Sequence, residues 1–510
     1  MKKIFVFIFL IFISITLTAC EAWRDFTEEL NAMEDTLLNQ IPEYLNADFQ
    51  LSIDDDYRVM YDVDGIISED MYTYVSPFYD RKVDVKVKVS RGTSEVEFTK
   101  TVTLLSSDSG HNHYQINIHR DIPNETIMLD TYIGIRVEVK WIKNGITTTE
   151  VTTDEVKLRG RGNSTWYAYP KKPYRMRFDK NTSIFGMPEA KNYVLLAEYA
   201  DTSLMRNAVA HKMSQLFTHL NYAQQIRFID LYIDDSYQGL YVLTEQVEVH
   251  PNKLYFETLP GVIDTGYFFE LDMRFYEWQL EEGNGWFLVD RHPYEIKEPD
   301  PEDPAYLDAQ AEFLQNYMYR MEYGLTVAGD YEEYLNVDNA IDFFLIHEIS
   351  KNVDVGWSSV YMMKEQGGRI EFGPIWDFDF AFGNTDYIDY GPENWYGMRD
   401  WKNRLFGLMM ARPEIRERFK LRYQWYMNDV LPELLIMIPI LGESFASQAE
   451  HNFEKWPRYG IYTWPNPNEM LEANTHEKQI EYLKDYLEQR SLWILQELEY
   501  TRYAQGNFGD

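Results

Sequence analysis

The chain has 510 residues and a formal charge of −35, with 83 Asp and Glu against 48 Lys and Arg, so its surface repels a nucleic-acid backbone and excludes DNA or RNA as a partner. A hydrophobic fraction of 45% is that of an ordinary globular protein of two or three domains, which excludes a disordered chain or a multi-span membrane protein. The single cysteine rules out an internal disulfide.

Lys2-Lys3 and the apolar run 4–18 have the layout of a signal sequence, too short for a comfortable membrane span. The run ends in Leu17-Thr18-Ala19-Cys20, a bacterial lipobox pattern, and lipid attachment at Cys20 accounts for both the position and the solitude of that cysteine. The expectation is a protein exported by a signal sequence over 1–20 and lipid-anchored to the outer face of the bacterial cell membrane. The acidic stretch 21–46 reads as a tether or short helix. From 47 to 153, strict alternation of β-branched and polar residues in runs such as 83–89, 96–104, 114–118 and 133–141 predicts strands. Turn clusters such as Asn144-Gly145 separate them, and a small all-β Ig-like sandwich acting as a spacer is expected.

Over 154–505 strands and helices mix, which predicts an α+β domain. The block Lys157-Leu158-Arg159-Gly160-Arg161-Gly162-Asn163-Ser164-Thr165-Trp166 is a Gly-rich turn of the kind that lets backbone N–H groups approach phosphate oxygens. In the strand that follows, alternation sets Lys172 with Tyr174 and Met176 and leaves Arg175 and Arg177 on the opposite face. Lys172 is the better of two adjacent lysines for a phosphate contact, and the competing reading is a solvated surface charge. Met205, Val209, Met213 and Leu216 predict a helix over 203–217; 226–233 and 239–244 predict a hairpin. This order is that of a kinase amino-terminal lobe, in which Glu245-Gln246-Val247 would be the connector touching adenine.

Further on, 278–287 reads as an irregular insert, and helices are predicted over 306–323, 337–351, 413–428, 431–443 and 468–500. Asp354 follows one of these helices. Asp377 comes after strand, Gly-Gly turn and strand, which is the layout of a phosphoryl-transfer site. Alternation in Asp377-Phe378-Asp379-Phe380-Ala381-Phe382 puts two carboxylates on one side, as hard ligands for Mg²⁺ or Mn²⁺, and three phenylalanines on the other. With Asn384, Asp386 and Asp389 close by, a calcium site or a structural acidic cluster competes, and Asp354 also reads as a helix cap or ion-pair partner. Asn352 and Ser359 are placed to orient metal or phosphate. His347, on an apolar helix, reads as a core residue. No G-x-S-x-G elbow is present, so nucleophilic hydrolysis has no support.

These blocks, together with Phe185-Gly186-Met187-Pro188, 191–196, 201–208 and 239–246, resemble the CotH (spore coat protein H) kinase family. The resemblance implies an atypical protein-kinase-like two-lobed fold after the Ig-like domain. It also implies ATP- and Mg²⁺-dependent phosphorylation of Ser or Thr on surface or coat proteins. Asp377 is then the metal ligand, with Asp379 and Asn352 read as supporting it, and Asp354 orients the acceptor. Arg159, Gly160, Arg161, Gly162, Asn163 and Ser164 hold the phosphates, and Lys172 assists. Two rivals stand beside this: a non-catalytic binding or adhesion lipoprotein, and a glycan-active protein using paired carboxylates and cleft aromatics.

Overall fold

A computed structural model describes residues 25–508 apart from 328, 400 and 401; the expected signal sequence and Cys20 lie outside these residues. Internal packing divides the chain into two compact units, one reaching to Asn112 and including Lys140–Thr149, the other formed by His113–Val139 and everything from Glu150 onward.

The first unit holds β1 (Tyr44–Leu45), β2 (Arg58–Val63), β3 (Ile66–Glu69), β4 (Arg81–Arg91) and β5 (Ser94–Leu104), in sheet order β1-β5-β4-β2-β3. Along β4, Val83, Val85, Val87 and Val89 are buried while Asp84 and Lys86 are exposed, the period-two pattern of a sheet with one wet face. The buried face is covered by two short helices, Thr27–Asn31 and Glu34–Leu38, whose Leu30 and Leu37 join Phe26, Ile41 and the valines in one core. The Ig-like sandwich is therefore not formed. Two of its expected strands, β6 (Tyr114–Arg120) and β7 (Ile133–Lys143), belong to a barrel, and the stretch read as a tether supplies the cover instead. Alternation marks a strand without saying which sheet it joins, and five-residue helices are too short to show an apolar period.

The barrel is closed and seven-stranded. It adds β8 (Ile146–Gly160), β9 (Tyr174–Thr182), β10 (Ala190–Leu196), β11 (Ile226–Ile233) and β12 (Ser236–Glu245) in the order β10-β12-β11-β6-β7-β8-β9, with β6 and β11 parallel. Strands expected to form a kinase-type amino-terminal lobe are thus closed off by β6 and β7, and no edge is left open. The buried helix Arg206–Leu216 lies between β10 and β11 in the chain.

A second five-stranded sheet, β14-β15-β13-β16-β17, is built from β13 (Tyr267–Leu271), β14 (Trp286–Val289), β15 (His292–Glu298), β16 (Val360–Lys364) and β17 (Ile370–Phe372). The segment expected to be an irregular insert contributes β14, because Asp290 (φ 43°) and Arg291 (φ 65°) form the left-handed two-residue turn that pairs it with β15. Helices accompany this sheet, among them Asp308–Val327, Val337–Ser350, Pro413–Trp425, Leu431–Ser444 and His476–Glu497. The α+β class holds.

Candidate functional site

A cleft of about 960 Å³ is lined on one wall by Arg159, the 161–165 turn, Lys171, Pro173 and Arg175, and by residues 196–200 after β10. Facing these are Glu270, Arg274, Lys297, Asp354, Ser358, Ser359, Asp377 and Asp379. The turn owes its shape to glycine. A side chain at Gly160 would run into the Trp166 ring, and Gly162 holds φ +82° with Thr165 packed where a Cβ would stand.

The acidic wall is made by two braced loops. The helix Val337–Ser350 ends at Lys351 in the left-handed region (φ 51°), which turns the chain toward Asp354. Asn352 Oδ1 accepts from the Asp354 N–H (2.8 Å), and its Nδ2 donates to the Asp377 carbonyl (3.0 Å). Both ends of its amide thus tie the two loops together, and Asn352, expected as a supporting metal ligand, is not among the residues that line the cleft. Asp377 itself sits at φ 68°, a conformation that costs a non-glycine residue about 1 kcal/mol or more and persists only when the surroundings impose it. They do so here through the Phe378 N–H, which donates to Asn207 Oδ1 (2.8 Å), through Arg206 Nε, which donates to the Ala381 carbonyl (3.1 Å), and through the Phe382 N–H, which donates to the Ser350 carbonyl (2.7 Å). Asp377 and Asp379 both line the cleft and Phe378 and Phe382 are buried, as alternation predicts; Phe380 differs and lines the cleft. The left-handed Asp377 and the turn closed by the Ala381 N–H on the Phe378 carbonyl end the extended run before it.

These acids press on one another. Burial first, and Asp377 second, push Asp354 up to about 7, against Lys402 and Arg274. Asp379 is raised well above the usual range by burial and then by Asp377, Glu198 and Asp354. Glu198 is pushed up to about 8 by burial and Asp201, against its hydrogen bond from Asn207 and the charge of Lys171. Such a set of hard oxygens fits a divalent cation of the Mg²⁺ type, which takes one or two carboxylates and fills its other positions with water and phosphate oxygens. Among the described residues a tighter acidic trio exists, Glu270, Asp272 and Glu295, with ligand oxygens within 4.8 Å. Each of its carboxylates is already in an ion pair, Asp272 with Arg274 at 2.5 Å, Glu270 with Lys297 at 3.2 Å, and Glu295 with the same Lys297. Asn384, Asp386 and Asp389 do not line the cleft, and their side chains engage the Ala200 carbonyl, Tyr462 and Asn394 respectively.

On the cationic wall, Arg159 lines the cleft while bonding the Leu129 carbonyl (2.7 Å), and Arg161 lies over the Trp376 ring (5.4 Å). Gly162, Asn163 and Ser164 line it as well. Gly160 does not: its N–H is taken by the Met128 carbonyl (2.7 Å), and it is structural. Lys172 also departs from expectation, because its Nζ caps the carbonyls of Trp166 (2.5 Å) and Tyr169 (2.6 Å) outside the cleft lining. Tyr174, Met176 and Phe178 take the core face of β9, so the opposite parity, Lys171, Pro173 and Arg175, reaches the cleft. Lys171 is buried, bonded to the Leu240 carbonyl (2.5 Å) and Asn452 Oδ1 (2.9 Å), and burial pushes it down to about 7. Of the expected connector only Gln246 lines the cleft. Glu245 is buried and accepts from the Gln225 N–H (3.2 Å), and Val247 is a core residue, because neighbours on an extended chain point opposite ways.

Residues the sequence did not single out complete the site: Glu198, Asn207, Arg274, Lys297 and Glu270. Arg206 is fully buried and pairs with Asp201 at 2.5 Å. His347 is a neutral core residue packed between Phe343 (4.5 Å) and Phe378 (4.9 Å), and burial pushes it down to about 3.

No curated protein matches the chain. A family model described as CotH kinase protein matches residues 158–494, well over half of the sequence and enough to include both loops of the acidic wall and the Gly-rich turn. The chain belongs to the CotH kinase protein family.

Proposed function

We propose that the chain is an ATP- and Mg²⁺-dependent (or Mn²⁺-dependent) phosphotransferase of kinase-like, two-lobed construction that acts on Ser or Thr of surface or coat proteins, held at the outer face of the membrane by a lipid on Cys20. One observation carries it: Asp354 and Asp377, on loops tied by Asn352, face Arg159, Arg161 and Arg175 across a single cleft. The arginines and the Gly162–Ser164 backbone would bind and orient phosphate oxygens, and Gln246, which lines the same cleft, would contact the base. Asp377 and Asp379 would hold the metal, which when bound neutralises phosphate charge. Asp354, pushed up to about 7, is matched to accept the proton of an acceptor hydroxyl at neutral pH. The rate gain is mainly positioning and charge neutralisation.

The test is Mg²⁺-dependent ATP binding and phosphate transfer by the purified chain, beside Asp377→Ala and Asp354→Ala. Transfer by the wild type and none by folded mutants supports the proposal. Absence of Mg²⁺-dependent nucleotide affinity at millimolar concentration sinks it.

A second reading, a non-catalytic binding module for peptide or glycan, is favoured by the exposed aromatics around the cleft, Tyr167 (77% exposed), Trp278 (50%) and Trp464 (58%) among them. It predicts ligand-dependent tryptophan fluorescence without ATP turnover.

A further inference from the structure

The loop after β10 places one more carboxylate in the cleft, and it has an oxygen to spare. Glu198 is 6% exposed, sits at φ 49° and lines the cleft. Its Oε1 accepts from Asn207 Nδ2 (3.0 Å), while its Oε2 is buried without a hydrogen-bond partner. The cations nearby do not fill that gap. Lys171 spends its ammonium on the Leu240 carbonyl and Asn452, and Arg206 is paired with Asp201. Asn207 links Glu198 to the metal loop, since its amide nitrogen serves Glu198 and its oxygen receives the Phe378 N–H, next to Asp377. A buried carboxylate oxygen that is held in place but left without a donor calls for a partner, and in a cleft lined by other acids a cation is the partner that fits.

We infer that Glu198, contributed by the loop after β10, is a ligand of the divalent cation that this cleft would hold. This rests on the metal-dependent function proposed above. Asn207 is a positioning residue for Glu198 and for the Asp377 loop.

Mn²⁺ titration of the purified full chain, read by electron paramagnetic resonance with and without a non-hydrolysable ATP analogue, tests this. Glu198→Gln keeps the acceptor for Asn207 but loses the charge; the expected result is at least tenfold weaker Mn²⁺ binding with an unchanged thermal midpoint in EDTA or a higher one. Glu198→Asp is expected to bind Mn²⁺ with intermediate affinity. Wild-type Mn²⁺ affinity in Glu198→Gln, beside a loss in Asp377→Asn, overturns the assignment of Glu198 and leaves the proposed function standing. Absence of Mn²⁺ binding by the wild type in either condition overturns both.

Discussion

Glu198→Gln makes a second, metal-free prediction, about how stability depends on pH. Ionised Glu198 is disfavoured in the fold by burial and by Asp201 and Asp377, with Lys171 and Asn207 opposing, so its folded pKa stands at about 8 against 4.5. The group is protonated more readily when folded. It therefore stabilises the fold fully below pH 4.5, and this contribution is lost as pH rises through 8. At about 1.36 kcal/mol per pH unit, ionising it in the fold costs about 5 kcal/mol, of which about 3 kcal/mol accrues between pH 5 and pH 8. Replacing it by the neutral amide removes this dependence. Urea unfolding in EDTA, followed by tryptophan fluorescence at pH 5, 6.5 and 8, is the assay. The mutant is expected to lose less stability than the wild type across that range, by about 3 kcal/mol. Parallel stability profiles for mutant and wild type would refute the reasoning, because Glu198 would then carry no more charge penalty folded than unfolded.

Other substitutions separate roles that look alike in sequence. Lys402→Met removes a charge that holds the Asp354 pKa down, so the acid limb of kcat/KM for phosphate transfer is expected to move to higher pH; an unmoved limb counts against Asp354 as the titrating base. Lys172→Met strips the cap from the Trp166 and Tyr169 carbonyls and is expected to cost about 1–3 kcal/mol in urea unfolding with ATP affinity retained, whereas Arg175→Met is expected to lower that affinity about tenfold by calorimetry. Gly160→Ala drives a methyl group into the rigid Trp166 ring, with an expected loss of about 1–3 kcal/mol and a changed near-ultraviolet circular dichroism spectrum.

How much of the site the sequence discloses depends on how far each residue's partner lies along the chain. Asp354 and Asp377 are legible because everything between them is local: β16, the Gly367-Gly368 turn and β17 form one hairpin, and the helix before Asp354 announces itself by its period. The parity of β9 is legible too: alternation sets Lys172 with Tyr174 and Met176, the apolar face, and the cleft takes the other parity, Lys171, Pro173 and Arg175. Asn352 is different. A polar residue two positions before Asp354 reads as a ligand in sequence, while in the fold its amide holds the Asp377 carbonyl, 25 positions away.

Sheet membership fails for the same reason. β6 carries the same alternation in a sandwich or in a barrel, and its place is decided by β11, where Ile229 pairs with Tyr114 in parallel. Glu198 is the extreme case. As sequence it is a charge at the end of an apolar run, the ordinary mark of a strand giving way to a surface loop. Its left-handed backbone turns it inward, Asn207 fixes one oxygen, and the walls of the cleft deny the other a donor. Each of those facts comes from a different part of the chain, so a charge that looks dispensable in sequence is, in the fold, a buried carboxylate disfavoured by burial and Asp201 and eased by Asn207 and Lys171.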